Sequence, residues 1–154
     1  MKVDNEKLNE RIARFHTLAR EAGIRLTHQR LEIFREVASS EEHPDAESVY
    51  RSVKRRMPTV SLDTVYRTLW MLTDLGIIGT LSGKRKSVRF DANIQPHHHF
   101  VCIRCGMTRD FEDPGYARLA APEQVEQYGH ILESRVEMRG ICGECLRKEP
   151  MNGS

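Results

Sequence analysis

Leu8, Ile12, Phe15, Ala19 and Ala22 recur at helical spacing near the start of the chain, and Gly23 follows them as a stop. Thr27 then stands where an N-cap belongs, ahead of a second helix with Leu31, Phe34 and Val37 on its apolar face. Asp45, directly after Pro44, caps a third helix carrying Ala46, Val49, Tyr50 and Val53, which Pro58 ends. Ser61 caps a fourth, SLDTVYRTLWMLTDLG, with Leu62, Val65, Leu69 and Leu72 as its buried stripe and Gly76 at its end. Two short apolar runs, around residues 77–81 and 88–90, read as strands joined by the basic turn SGKRKS.

Several short helices followed by a basic hairpin form the outline of a winged helix-turn-helix. On the fourth helix Arg67 lies opposite the core stripe, flanked by Asp63, Tyr66, Trp70 and Asp74. Such a helix can enter a major groove, where arginine donates two hydrogen bonds to a guanine edge. A small helical bundle with a solvated outer face is the alternative.

Beyond Asp91 the period changes, and the domain junction is placed there, with 1–90 and 91–154 as the two parts. Residues 100–103 and 108–111 read as strands, and 122–128 as a helix that stops at Gly129. The stretch LESRVEMR alternates without a break: Leu132, Ser134, Val136 and Met138 on one face, charged residues on the other. That pattern predicts a half-buried strand long enough to pair widely or to build an interface. The fold class expected is α+β.

Composition narrows the setting. Of 154 residues, 39% are hydrophobic and 30% charged, which suits a globular chain rather than a disordered one. No apolar run approaches the roughly 20 residues needed to cross a bilayer, and MKVDNEKLNE lacks the apolar core of a signal peptide. A cytoplasmic location is therefore expected. The net charge of +2 divides unevenly, +5 over residues 1–90 and −3 over 91–154. Only the front part is expected to meet a polyanion, unless both surfaces are simply solvated.

Chemistry concentrates in the second part. Cys102, Cys105, Cys142 and Cys145 form two Cys-x-x-Cys turns separated by 36 residues. Four thiolates fill a tetrahedral zinc shell and leave no open position, so such a site is structural. Two redox-active dithiols are the alternative, and they need a thioredoxin-like context that the sequence lacks. His97 and His99 alternate along PHHHF, so their side chains point one way and that of His98 the other. With His43, Asp91 and Asp110 they make a second candidate ligand set. Imidazole and carboxylate donors suit iron, manganese, nickel or zinc. Exposed polar histidines are the plain alternative.

RLTHQRLEIF, HPDAESVY, SLDTVYRTLWMLTDLGII, RFD, HHHFVCIRCG and ICGEC, in that order, resemble the ferric uptake regulator (Fur) superfamily of metal-dependent bacterial repressors. The likeness covers about residues 12–147. It implies a homodimer of chains, each with an N-terminal winged-helix DNA-binding domain and a C-terminal α/β dimerisation domain. It places a structural zinc on Cys102, Cys105, Cys142 and Cys145, and a regulatory Fe²⁺ or Mn²⁺ on His43, Asp91, His97, His99 and Asp110. Asp110 and Asp91, where iron-uptake regulators usually carry Glu, are similar to the peroxide-sensing PerR branch, whose oxidised residues match His43 and His97. Ser134 and Ala117 fall where some members place ligands of a further site, so that site is expected to be missing. DTVYRTL is more similar to the Fur and Zur branches, which sense iron or zinc sufficiency.

The resemblance further implies operator DNA as partner. Arg67 would read a base edge and Tyr66 thymine methyls, with Arg25 and the Lys84, Arg85 and Lys86 turn near phosphate or minor groove. An enzyme is not expected: no cofactor motif is visible, no H-x-E precedes P-C-x-x-C, and five protein ligands leave little room for a substrate.

Overall fold

Helix α1 (Asn5–Glu21) begins where the Asp4 carboxylate accepts the Lys7 N–H at 2.8 Å, and it ends at Gly23, whose φ of +70° a side chain would resist. The computed structural model describes residues 2–82, 87–117, 119–131 and 134–151. Thr27, Asp45 and Ser61 each accept a backbone N–H at the start of α2 (His28–Ala38), α3 (Ala46–Arg56) and α4 (Leu62–Asp74). Short polar side chains at these positions satisfy donors that a helix leaves unpaired. The chain divides into two compact units, Met1–Ile94 and Gln95–Ser154.

In the first unit α2 packs against α1, α3 and α4. A helix touching three others needs an apolar face wider than Leu31, Phe34 and Val37, and Ile33 and Ala38 are buried as well. Phe34 stacks on Phe15 with ring centroids 4.2 Å apart, and Val49, Val53, Val65, Leu69 and Leu72 close the core around Ile33 and Ala19. Arg56 ties α3 to α2, its Nε 2.9 Å from Glu32 and its Nη2 3.0 Å from Glu36. Strands β1 (Gly79–Ser82) and β2 (Val88–Asp91) pair antiparallel, Gly79 opposite Asp91. The expected strand from residue 77 starts two residues later. Ile77 and Ile78 instead donate their N–H groups to the Leu72 carbonyl and bury their side chains in the core behind the end of α4.

In the second unit three strands lie in the order β4-β3-β5. β3 (His98–Cys102) runs antiparallel to β4 (Thr108–Phe111), with His99 opposite Asp110. It runs parallel to β5 (Glu137–Gly140), with Cys102 opposite Gly140. Parallel neighbours need a long crossover, which here contains α5 (Pro114–Ala117) and α6 (Glu123–Glu126). Helix α7 (Gly143–Lys148) follows β5. The helix expected over 122–128 is thus a single turn.

The long strand expected from Leu132 is shorter than its alternation suggests. Among the described residues only Glu137–Gly140 pair, at the sheet edge, while Ser134 and Met138 are exposed and Val136 is half-buried; Leu132 lies outside the described residues. Alternation records a two-faced segment, but among the described residues no second layer covers Met138. No described helix is long and apolar enough to cross a membrane.

Candidate metal centre

The four cysteines converge at one end of the second unit's sheet. Cys102 is the last residue of β3, Cys105 follows in a tight turn, and Cys142 and Cys145 lie at the start of α7. The turn closes because Gly106, at φ +77°, donates its N–H to the Cys102 carbonyl at 2.9 Å. Cys102 Sγ lies 3.9 Å from Cys145 Sγ, Cys105 Sγ lies 3.8 Å from Cys142 Sγ, and all four sulfurs are within 4.8 Å of one another. A tetrahedral zinc with Zn–S bonds of about 2.3 Å sets its sulfurs about 3.8 Å apart. Disulfides would require about 2.05 Å, so the cysteines stand as free thiols in the geometry of a shared ion.

The electrostatics agree. Backbone N–H groups of Cys105, Cys142 and Arg104 point at Cys102 and hold its thiol down to about 6. The Cys145 thiol is pushed up to about 12, first by its contact with Cys142, then by burial and the sulfurs of Cys105 and Cys102. One thiolate is favoured by backbone dipoles, while a fourth is opposed by its neighbours. A cation at the centre removes that opposition.

The other candidate ligands fall into two groups, one in each unit. In the first unit the loop before α3 is clamped to β2: Phe90 N–H donates to the Pro44 carbonyl at 3.0 Å, the backbones of Asp45 and Arg89 pair antiparallel, and Arg89 Nη1 donates to the Glu42 carbonyl at 3.4 Å. At the bend His43 takes φ +52°, the left-handed region that few residues with a side chain adopt. Its buried imidazole Nδ1 lies 3.4 Å from Asp91 Oδ1, at the end of β2. Asp91 Oδ1 also accepts the Asn93 N–H at 2.8 Å.

In the second unit His97 and His99 point the same way, as the alternation implies. The His97 ring donates from Nδ1 to the Gln95 carbonyl at 2.6 Å, which leaves Nε2 as the donor atom for an ion. That Nε2 lies 3.0 Å from His99 Nε2. Asp110 Oδ1 lies 3.4 Å from His99 Nε2 and 3.9 Å from His97 Nε2. Donors about 2.1 Å from one ion and at right angles stand about 3.0 Å apart, so the two imidazoles fit adjacent positions of a metal shell.

His98, to which the sequence assigns no role, occupies the opposite face. Its Nδ1 accepts the Val136 N–H at 3.0 Å, and its ring lies against Phe111 and Tyr116. It thus fixes the approach to β5. The Gln95 carbonyl that orients His97 was equally unforeseen, because a backbone oxygen leaves no mark in residue identity.

On α4, Tyr66, Arg67 and Trp70 are exposed, and with Met71, Asp74 and Leu75 they line a shallow, mostly apolar groove. Arg25 is exposed before α2. Lys84, Arg85 and Lys86 lie outside the described residues.

Residues 21–139 match the model of the ferric uptake regulator family, and the chain belongs to that family. Its relatives include the peroxide-responsive repressor PerR of Staphylococcus epidermidis, 33% identical over 148 residues, which are 94% of this chain and 97% of the relative. The resemblance to the PerR branch therefore holds at the level of sequence. The solved ferric uptake regulator of Helicobacter pylori shares the fold, with a TM-score of 0.69 at 22% identity over 99% of both chains. A zinc-bound manganese uptake regulator aligns with a TM-score of 0.62 at 30% identity, over 88% of this chain and 98% of its own.

Proposed function

We propose that the chain is a PerR-like, metal-dependent repressor that binds operator DNA as a homodimer and senses peroxide. The observation that carries this reading is the convergence of His97 Nε2, His99 Nε2 and Asp110 Oδ1 within 3.0–3.9 Å, with aspartate as the carboxylate. The first unit acts as a winged helix-turn-helix: α3 crosses the DNA backbone, α4 enters the major groove, and the β1–β2 hairpin is the wing. The second unit dimerises and holds a structural zinc on its four cysteines.

The regulatory Fe²⁺ or Mn²⁺ takes His97, His99 and Asp110 from the second unit and His43 and Asp91 from the first. Five protein donors would leave a six-coordinate ion with one position for a further ligand such as peroxide. The family membership and the donor chemistry support this grouping. Because the ligands come from both units, the ion selects the arrangement that fits DNA, which is a two-state element biased by a ligand. When bound, iron supplies the redox chemistry by which peroxide transfers one oxygen to an imidazole carbon and leaves as water. His43 or His97 would receive that oxygen. The oxidised ring would be a poorer donor, the site would hold its ion less tightly, and the repressor would leave its operator. No turnover of a substrate is involved.

A second reading, a signal of iron or zinc sufficiency, draws on the DTVYRTL segment of α4. The two readings share the DNA interface and differ only in the response to peroxide.

Trp70 provides the test of the shared part. It is the one tryptophan of the chain, is 42% exposed, and lines the α4 groove beside Arg67. Titrating duplex operator into the Mn²⁺-loaded protein should change Trp70 emission, and a chelator should reverse the change. Arg67→Ala should weaken operator binding by about 1–3 kcal/mol and flatten base preference. A loss of equal size on every sequence would mean that Arg67 contacts phosphate.

A further inference from the structure

Arg67 is not alone on the exposed face of α4. Its Nε lies 2.9 Å from Asp63 Oδ2, one turn earlier, with the two side chains 81% and 70% exposed. Arg67 makes no other ion pair among the described residues. An exposed pair at this spacing adds little to helix stability, so helix stability is a weak reason for its presence. On a surface that meets phosphates a carboxylate also carries a cost, since it repels the polyanion at every sequence.

The geometry points to a role for Asp63 as the positioning residue for Arg67 in base recognition. This rests on the reading of α4 as the helix that enters the major groove. A guanidinium has two edges that can make paired hydrogen bonds, one including Nε and one formed by Nη1 and Nη2. Asp63 occupies the Nε side. That leaves the Nη1–Nη2 end, whose paired N–H donors match the O6 and N7 acceptors of guanine. The carboxylate also limits the rotamers of a long side chain, so less freedom is lost when Arg67 meets the base. Asp63 therefore trades general affinity for discrimination at one base pair.

The two possible roles predict opposite signs. Duplexes selected from a randomised library by the Mn²⁺-loaded, full-length protein identify the position whose guanine preference disappears in Arg67→Ala. The wild type should prefer guanine there by roughly 5- to 150-fold. Asp63→Ala should reduce that preference to within about threefold while binding to unrelated duplex stays equal or becomes tighter. Asp63→Asn, which keeps the size and a polar oxygen of the side chain but not its charge, should retain part of the preference. In the Arg67→Ala background, Asp63→Ala should leave base preference unchanged. Thermal melting of each variant confirms that the fold is intact, as expected for two exposed side chains.

An Asp63→Ala protein that keeps the full guanine preference and binds all DNA more tightly overturns the positioning role and leaves the DNA-binding reading standing. A wild type with no preference that depends on Arg67 overturns the positioning role and means that Arg67 reads no base, while failure of the metal-loaded protein to bind any duplex overturns the DNA-binding reading itself.

Discussion

Cys102→Ser should strip the second unit of its metal and of its ordered β3–β5 pairing. Cys102 ends β3 opposite Gly140, its sulfur accepts the Cys142 N–H at 3.3 Å, and it stands 3.9 Å from Cys145 Sγ. One residue therefore joins two strands and the start of α7, in a unit whose buried apolar residues include Cys102 and Cys142 themselves. A unit with so little other apolar interior depends on the ion for its folding free energy, since the site scarcely exists in the unfolded chain. Zinc content should fall from one per chain to none, and amide protons of β3 and β5 should lose their protection from exchange. The helices of the first unit keep their own core around Phe15, Phe34 and Leu69 and should stay protected. A serine variant that retains zinc and a protected β5 would show that the cysteines do not hold the unit together.

His97→Ala should weaken binding of the regulatory ion by at least about 100-fold, because loss of a groups that merely orient ligands already costs 10- to 100-fold. His43→Ala should have a second effect. In the proposed ligand set His43 is a donor of the first unit, so the variant should keep part of its ion affinity through His97, His99 and Asp110 yet lose the metal dependence of DNA binding. His98→Ala is the contrast. His98 carries a backbone N–H of Val136 rather than aiming at the ion, so ion affinity should persist while exchange protection at β5 falls. Isothermal titration with Mn²⁺, paired with exchange measurements, separates the three. Equal ion affinities for His97→Ala and His98→Ala would remove His97 from the ligand set.

Much of the first unit was legible because its signals are local. Thr27, Asp45 and Ser61 are side chains whose capping role depends on the next three residues, and helical periodicity needs only one helix to be visible. Ile77 and Ile78 depart from the expected strand because a short apolar run says nothing about whether its backbone pairs with a strand or turns back on a preceding helix. The LESRVEMR segment failed for a related reason: strict alternation fixes two faces but not which partner covers one of them. At the site, chemical type and alternation separated His97 and His99 from His98. The Gln95 carbonyl and the Val136 N–H, which define what those rings do, are backbone groups that every residue possesses. The left-handed turn at His43 was hidden because nothing in a histidine announces a positive φ.

In the proposed function an iron-loaded site converts peroxide into loss of DNA binding through its own histidines. This conversion is tested by following operator binding of the Fe²⁺- and Mn²⁺-loaded protein under anaerobic conditions, before and after stoichiometric peroxide, with peptide masses taken from the same samples. The iron form should release DNA and carry one added oxygen on His43 or His97, and the manganese form should remain bound and unmodified. Iron-loaded protein that stays on its operator with both histidines unmodified would contradict peroxide sensing and leave metal sufficiency as the signal.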